Sequence, residues 1–264
     1  MNPQVTDTAF DDLRLIQRGL NGSKEELFSL MERPTPDILR AALRNPALDE
    51  AHLLALLRHT GLHPDLFTLL HQQHEPPAAN YQVLFALVQH AETPAHIVST
   101  LLPRLYLFDL LKICSTPGVP QDQKTAAERA IIQRVPTQPL GNKLTLARRG
   151  TAAIAEALLK EGQPQVVAAC LDNPHLKEGA LHQFINSAAA TAETISQIAR
   201  HNRWQHRPEL QQAILKNPRT PAIWFTLFLP RLPRSVVKNL ALSPRLTPQQ
   251  KLLVAEVVGG KKPS

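Results

Sequence analysis

Cysteine and glycine are scarce in this sequence, whose 264 residues include 2 Cys and 10 Gly. Cys114 and Cys170 lie far apart in the chain, so they suggest neither a disulfide framework nor a metal site, and we expect both to be small buried residues. Few glycines leave little material for loops that cradle phosphates. The motifs HExxH, GxSxG, GxGxxG, GxxxxGKS and GxxxxGKT are all absent. We therefore predict no catalytic residues, no bound metal and no cofactor.

Long hydrophobic runs are also absent. The longest obvious apolar stretch, residues 222–229, is far shorter than the ~20 residues that a membrane-spanning helix requires. The N-terminal stretch up to Leu15 carries neither the basic segment nor the apolar segment of a secretory signal. Apolar residues nevertheless make up 43% of the chain, too many for an intrinsically disordered protein. The sequence thus predicts a folded protein with no membrane partner and with a cytoplasmic location in a bacterial-type cell.

The charges are unevenly distributed along the chain. Residues 1–132 contain 11 Lys and Arg and 15 Asp and Glu, whereas residues 133–264 contain 18 and 7. We therefore predict an acidic N-terminal helical-repeat half (1–132), a basic C-terminal helical-repeat half (133–258) and a disordered tail (259–264). This asymmetry bears on the partners of the protein rather than on its fold.

Proline is abundant, with 23 residues, and its placement predicts where helices begin and end. Four Thr-Pro pairs precede helix-compatible sequence, because Thr can cap the first turn and Pro lacks only an N–H that has no partner there. Asn-Pro and Ser-Pro pairs follow apolar segments, where Pro biases the preceding residue against the helical conformation. The Thr-Pro pairs begin at residues 35, 93, 220 and 247, and the others begin at residues 45, 173, 217 and 243.

These signals predict many short helices and no strands, since no segment alternates between polar and apolar residues. Ser23 and Glu26 fit a capping box, and a further helix is expected at 105–113. Thr93-Pro94-Ala95 recurs as Thr220-Pro221-Ala222, together with other short matches at the same offset. The fold class is therefore all-α, an array of two-helix units. Helix starts are expected near residues 36, 49, 64, 79, 94, 120, 139, 151, 163, 176, 191, 208, 221, 235 and 248.

Residues 217–250 resemble the leucine-rich repeat variant family of bacterial HEAT-like helical repeats. The pattern is Asn-Pro-x-Thr-Pro, a Leu-rich helix, and a second short helix that leads to the next Asn-Pro. Weaker copies lie at 45–72 and 173–200, and a degenerate copy lies at 93–124. The resemblance implies a right-handed α-solenoid of short paired helices without intrinsic catalysis. Some members carry an N-terminal cysteine cluster for an iron–sulfur centre, which this sequence does not have, so the resemblance implies no cofactor here.

Residues 199–208 combine three Arg, two His and one Trp in a predicted connection between helices. Guanidinium groups and an exposed indole can contact phosphates and stack on bases or on the aromatic side chains of a peptide. Alternatively, the indole packs between two helices while the arginines remain solvated. Further cations recur between the helices of the C-terminal repeats. The candidate partner- or anion-binding residues are Arg200, Arg203, Trp204, His206, Arg207, Arg231, Arg234, Lys238 and Arg245.

Eleven histidines raise the question of a metal site. His71 and His74 are three residues apart, but their polar neighbours indicate the end of a helix, and a third ligand would be needed. His59 and His63 are separated by Gly61, so they do not share a helix face. The histidines therefore leave the prediction of no metal unchanged.

Three functions are compatible with this pattern. The first is a non-enzymatic scaffold whose stacked helix pairs bind a protein partner in an extended groove. The second is nucleic-acid binding through the basic C-terminal half, with phosphate contacts and little reading of bases. The third is a HEAT-like DNA-repair glycosylase, which needs a carboxylate beside aromatic residues. Neither Trp204 nor Trp224 has one within a helical turn, so the glycosylase ranks well below the other two functions. The scaffold is our first hypothesis, and nucleic-acid binding is the alternative.

Overall fold

The chain folds into α-helices and short connections. The computed structural model describes residues 3–32, 34–73 and 81–258, and no strand occurs among them. Within these residues, no helix combines the length and the hydrophobicity needed to span a bilayer. The predicted disordered tail, residues 259–264, lies outside the described residues. The prediction of an all-α helical repeat fold is confirmed.

The helices form two compact units, residues 1–131 and 132–264. The described part of the first unit contains α1 (Pro3–Asn21), α2 (Lys24–Leu30), α3 (Pro36–Ala42), α4 (Glu50–Leu56), α5 (Pro64–Gln73), α6 (Tyr81–Gln89), α7 (Ala95–Leu101), α8 (Leu107–Ser115) and most of α9 (Gln121–Arg134). The described part of the second unit contains α10 (Leu140–Arg149), α11 (Ala152–Leu159), α12 (Pro164–Leu171), α13 (Glu178–Ile185), α14 (Ala192–Arg200), α15 (Pro208–Leu215), α16 (Ala222–Phe228), α17 (Arg234–Ala241) and α18 (Pro248–Val258). Short 3₁₀ turns follow α7, α9 and α16.

The predicted helix starts agree closely with the structure, since each lies within two residues of an observed start. The helix predicted at 105–113 is α8, which runs two residues later at both ends. The capping box at the start of α2 is also present. The Ser23 hydroxyl accepts from the N–H of Glu26 (3.4 Å), and the Glu26 carboxylate accepts from the N–H of Ser23 (3.0 Å). The proline pattern therefore located the helices well.

The four Thr-Pro pairs divide into two structural types. Thr35 and Thr247 act as predicted, since each hydroxyl accepts from the main-chain N–H three residues later and the following Pro opens the helix. The prediction is wrong for Thr93 and Thr220, whose hydroxyls instead donate to carbonyls six residues earlier. Both of these threonines are buried, and each adds a second donor to a carbonyl near the end of the preceding helix, which also accepts a main-chain N–H from beyond that helix.

The Asn-Pro pairs end helices as predicted, and they also join neighbouring repeats. The Asn173 side chain accepts from the N–H of His175 (2.7 Å) and so closes the turn after α12. Its amide donates to the carbonyls of Ala147 (2.7 Å) and Gly150 (2.9 Å), at the end of α10. The amide of Asn45 likewise donates to carbonyls 26 and 23 residues earlier. Because both side chains are buried, these bonds are protected from competition with water.

Alternate helices stack on one another within each unit. In the first unit, α1, α3, α5 and α7 pack in sequence, and α2, α4 and α6 form a second row. In the second unit, α10, α12 and α14 pack in sequence, α13 packs on α15, and α16 packs on α18. Each two-helix repeat therefore buries its apolar face, mostly Leu, Ile and Val, against its neighbours.

The internal repeat that relates Thr93 to Thr220 in the sequence corresponds to equivalent positions in the structure. Gln123 and Gln250 are both buried, and each side-chain amide donates to a carbonyl 33 residues earlier. The acceptors are the carbonyls of His90 and Asn217 (3.0 and 3.4 Å). The repeated glutamine thus connects one turn to the turn before it in both units.

Candidate functional site

Hydrogen bonds link the connections between the helices of the second unit into two sets, which we call the first edge and the second edge. At the first edge they join the turns at 147–150, 171–177 and 200–207. At the second edge they join the turns at 185–190 and 217–220, and the latter to Gln250. The Arg- and His-rich segment follows α14 and belongs to the first edge.

Arg203 is bound to the main chain of its own unit. Its guanidinium donates to the carbonyls of Asn173 (2.7 Å), Pro174 (3.3 Å) and Leu176 (3.1 Å). These three carbonyls belong to the turn between α12 and α13, so one side chain holds a whole connection in place. Three hydrogen bonds of Arg203 are therefore made within the fold itself, and its contact with a partner stays a prediction.

Trp204 is buried, with 3% of its surface exposed. Its indole N–H donates to the carbonyl of Leu171 (3.2 Å), and the guanidinium carbon of Arg203 lies 4.4 Å from its ring centre. Of the two interpretations of the sequence, packing between helices is therefore correct and an exposed stacking platform is wrong. The indole fills the space beside the end of α12, which explains why a tryptophan occurs in a polar connection.

A cleft of about 520 Å³ opens next to these two residues. It lies between the ends of α12 and α14, and its apolar lining comes from Ala168 and Leu171. The oxygen Oε1 of Gln197 is shielded from solvent and has no hydrogen-bond donor among the described residues. The Arg200 side chain is exposed and makes no hydrogen bond or ion pair to the described part of the chain. The cleft thus offers an acceptor, a cation and an apolar surface.

The remaining wall of the cleft is held in place by His201. Its Nε2 lies 3.1 Å from an Asp172 carboxylate oxygen, and its Nδ1 accepts from the N–H of Arg203 (3.3 Å). Since Nδ1 accepts, Nε2 carries the proton and donates to Asp172. Gln197, Asp172 and His201 are not among the nine candidates from the sequence. Only His201 had a signal there, because it lies within the Arg- and His-rich segment.

The other candidate residues do not gather at this cleft. Arg207 is exposed, and its Nε lies 3.9 Å from a Glu178 carboxylate oxygen. Arg245 donates to the side-chain oxygen of Asn186 (3.2 Å) at the second edge. The remaining members of the set are exposed at positions outside the cleft lining, and they are His206, Arg231, Arg234 and Lys238. Of the nine, only Arg200 and Arg203 line the cleft.

A cleft of about 390 Å³ in the first unit shares one structural feature with the cleft in the second unit. His90 follows α6 as His201 follows α14, and each Nδ1 accepts from the N–H two residues later. At that later position the first unit has Glu92, whose carboxylate accepts from the N–H groups of Gly61 (2.7 Å) and Leu62 (2.8 Å). These two bonds, with that from Gly61 the stronger, lower the pKa of the Glu92 carboxyl below its usual value.

The two cysteines are buried, as the sequence predicts. Burial, with a smaller contribution from Glu128, raises the pKa of the Cys114 thiol to about 12, and burial alone raises that of Cys170 to about 12. Both thiols are therefore protonated at neutral pH, whereas a nucleophilic cysteine reacts as the thiolate. The sequence predicts no metal site at His71 and His74, and His74 lies outside the described residues.

The chain was compared with known proteins by sequence and by structure. No protein-family model, no curated protein and no solved structure matches it.

Proposed function

We propose that the protein is a non-enzymatic helical-repeat scaffold that binds an extended acidic segment of a protein partner. The binding site is the cleft between the ends of α12 and α14. The observation that carries the proposal is the pairing of two unused groups there: the Arg200 guanidinium and the Oε1 oxygen of Gln197. A carboxylate of the partner binds the guanidinium, and a main-chain N–H binds the oxygen after a rotation of the Gln197 amide.

The chemistry of Gln197 favours a peptide over a nucleic-acid backbone. A phosphodiester has oxygen acceptors but no donor, so it can pair with Arg200 and leaves the Gln197 oxygen without a partner. A peptide presents a donor and an acceptor in every residue and can satisfy both groups. Apolar side chains of the peptide then cover Ala168 and Leu171. Arginine at such a site fits a carboxylate with two parallel hydrogen bonds.

Nucleic acid is the alternative partner, and the charge of the second half supports it. Residues 133–264 contain 18 Lys and Arg against 7 Asp and Glu, enough to attract a polyanion. Against it stands the burial of Trp204, which removes the one indole of the basic segment from base stacking. The two partners therefore differ in which residues they use, and this difference can be measured.

We extend the proposal to the kind of repeat and the place of action. The Asn-Pro turns, the short paired helices and the internal repeat that relates Gln123 to Gln250 support assignment to the leucine-rich repeat variant type, with a right-handed solenoid. The scarcity of cysteine supports a reducing compartment, and we propose the cytoplasm of a bacterial-type cell.

The test is fluorescence anisotropy with the full chain and labelled dodecapeptides. The acidic set combines Glu, Asp and Leu with Ser, and the matched set replaces each acid with its amide. We expect an acidic peptide to bind, its amide form to bind at least ~10-fold more weakly, and Arg200→Ala to cause a similar loss. The single variant Gln197→Ala should also weaken the binding. Lys238→Ala, which removes an exposed cation outside the cleft, should leave the binding unchanged.

A labelled DNA duplex is titrated in parallel at 50 and 200 mM salt. Weak DNA binding that is unaffected by Gln197→Ala is compatible with the proposal, because any basic surface attracts DNA at low salt. Tighter binding of the duplex than of every acidic peptide, with equal losses in Arg200→Ala and Lys238→Ala, would overturn it in favour of nucleic acid. Failure of every acidic peptide to bind would also reject the cleft as the site.

A further inference from the structure

Three side chains with metal-binding atoms come together between α13 and α15. Glu178 lies in the first turn of α13, His182 follows it by one turn on the same face, and Glu209 lies in the first turn of α15. One atom from each, two carboxylate oxygens and an imidazole nitrogen, lies within 4.8 Å of the other two. Because α13 packs on α15, the three residues join two neighbouring repeats.

His182 contains the unexplained atom of this group. Its Nε2 is shielded from solvent and makes no hydrogen bond to the described residues. The nearest carboxylate oxygen, from Glu178, lies 3.7 Å away, which is beyond hydrogen-bond length. Leaving a buried polar nitrogen without a partner is costly, and such groups often mark the position of a ligand or ion.

The charges around the cluster are also unbalanced. Two carboxylates approach each other at Glu178 and Glu209, and the Arg207 guanidinium lies beside one of them, with its Nε 3.9 Å from Glu178. Arg207 is exposed and contacts one of the two carboxylates. Its side chain can therefore rotate into solvent when a divalent ion replaces it beside Glu178. A divalent ion compensates both carboxylates and supplies a partner for the histidine.

We propose that Glu178, His182 and Glu209 bind one divalent transition-metal ion of the zinc and cobalt class. Imidazole combined with carboxylates suits these ions, whereas calcium and magnesium prefer six or more oxygen ligands. Ligand bonds of about 2.1 Å in a tetrahedron place the ligand atoms about 3.4 Å apart. Side-chain rotations that move each ligand atom by about 1 Å therefore bring the three atoms to this spacing without moving either helix. The ion links two repeats and has room for a water molecule or a partner's ligand as its fourth.

The test is metal binding by the full chain after treatment with EDTA and gel filtration. Titration with Co²⁺ should give the visible absorption of a tetrahedral site that saturates at one equivalent, and calorimetry with Zn²⁺ should give the same stoichiometry. His182→Ala should abolish the band and weaken Zn²⁺ binding at least ~100-fold. Glu209→Gln, an exposed position that is tolerant of change, should weaken it at least ~10-fold. Affinity should also fall in acid, because the ligands must lose their protons.

The matched control is His206→Ala, which removes an exposed histidine that lies outside the cluster, in the connection before α15. It should leave the stoichiometry, the band and the affinity unchanged. Circular dichroism confirms that each variant is folded before titration. Absence of the Co²⁺ band in the unaltered chain, or equal binding by His182→Ala and His206→Ala, would overturn the proposal. The site lies outside the proposed peptide cleft, so neither result depends on peptide binding.

Discussion

The guanidinium carbon of Arg203 lies 4.4 Å from the centre of the Trp204 ring. Trp204 donates to the carbonyl of the last residue of α12, and Arg203 donates to carbonyls of the connection after it. The cation–π contact orients the guanidinium, and the three hydrogen bonds of Arg203 fix the turn that it covers. Of these two candidate binding residues, Arg203 therefore forms part of the cleft lining, whereas Trp204 is buried outside that lining. The residue beside them that keeps its charge free is Arg200.

Replacement of Arg203 should reduce stability, whereas replacement of Arg200 should not. Arg203→Ala leaves three carbonyls without their charged donor, and we expect the free energy of unfolding in urea to fall by about 2 kcal/mol. Arg200→Ala removes an exposed side chain and should change it by less than about 0.5 kcal/mol. Equal effects of the two substitutions would show that the hydrogen bonds of Arg203 contribute little.

Asn173→Asp should destabilise the second unit strongly for so small a change. The substitution replaces the amide that donates to Ala147 and Gly150 with an oxygen that repels both carbonyls. We expect a loss of about 2–4 kcal/mol in the free energy of unfolding, since a buried group loses its partners. The control is Asn202→Asp, at an exposed position, which should cost less than about 0.5 kcal/mol.

The Asn-Pro turns show how far the sequence predicts this fold. Proline geometry is local, so the sequence correctly marks Asn173 as the end of a helix. The two bonds of its amide span 26 and 23 residues, and no local rule predicts partners at that distance. The same limit explains Thr93 and Thr220, which have the residue type of a cap but are buried beside the preceding helix.

The candidate site was less predictable than the helices. Residues 199–208 contain the connection between α14 and α15, as the sequence predicts, but their charges do not show which side chains are used within the fold. Arg203 and Arg200 have the same chemistry in the sequence, and they differ only because the turn at 173–176 lies beside the first. Gln197 lacks any sequence signal, because an unpaired amide oxygen is a property of packing.

Breaking the ion pair of Lys143 and Glu161 should be costly, whereas removing both charges should cost less. Lys143 is 6% exposed, and its ammonium donates to both Glu161 carboxylate oxygens (3.1 and 2.9 Å). Glu161→Gln leaves a buried ammonium without its counter-charge, so we expect a loss of about 3 kcal/mol. The double variant Lys143→Met/Glu161→Gln should be more stable than Glu161→Gln alone. A double-mutant cycle in urea measures this coupling, and strict additivity would contradict it.

Glu92 should make the first unit sensitive to acid. Its folded-state pKa is lowered by the N–H groups of Gly61 and Leu62, so its contribution is complete above the ordinary value of 4.5 and is lost as the pH falls through the lowered pKa. Glu92→Gln should therefore be less stable than the unaltered chain at pH 7, by less than about 1 kcal/mol, because the carboxylate is exposed and solvent screens its charge. The difference should shrink below pH 4.5, where the carboxyl gains its proton. Asp12→Asn, which alters an exposed carboxylate, is the matched control variant.

Both cysteines should resist thiol reagents in the folded protein. Burial raises the pKa of each thiol from 9.0 to about 12, so at pH 8 the thiolate fraction is about 1000-fold smaller than in the unfolded chain. We expect an aromatic disulfide reagent to react at least ~100-fold more slowly with the native protein than with the chain in urea. Cys114→Ala and Cys170→Ala assign the two reactions. The raised pKa values also affect stability, because the folded protein holds the thiol protons more tightly than the unfolded chain does. The contribution of the two protonated thiols to the free energy of unfolding is complete below pH 9 and declines as the pH rises toward 12. Fast modification of either thiol in the native protein would instead indicate local opening of its helix, and Cys114, with the lesser burial, is the more sensitive position.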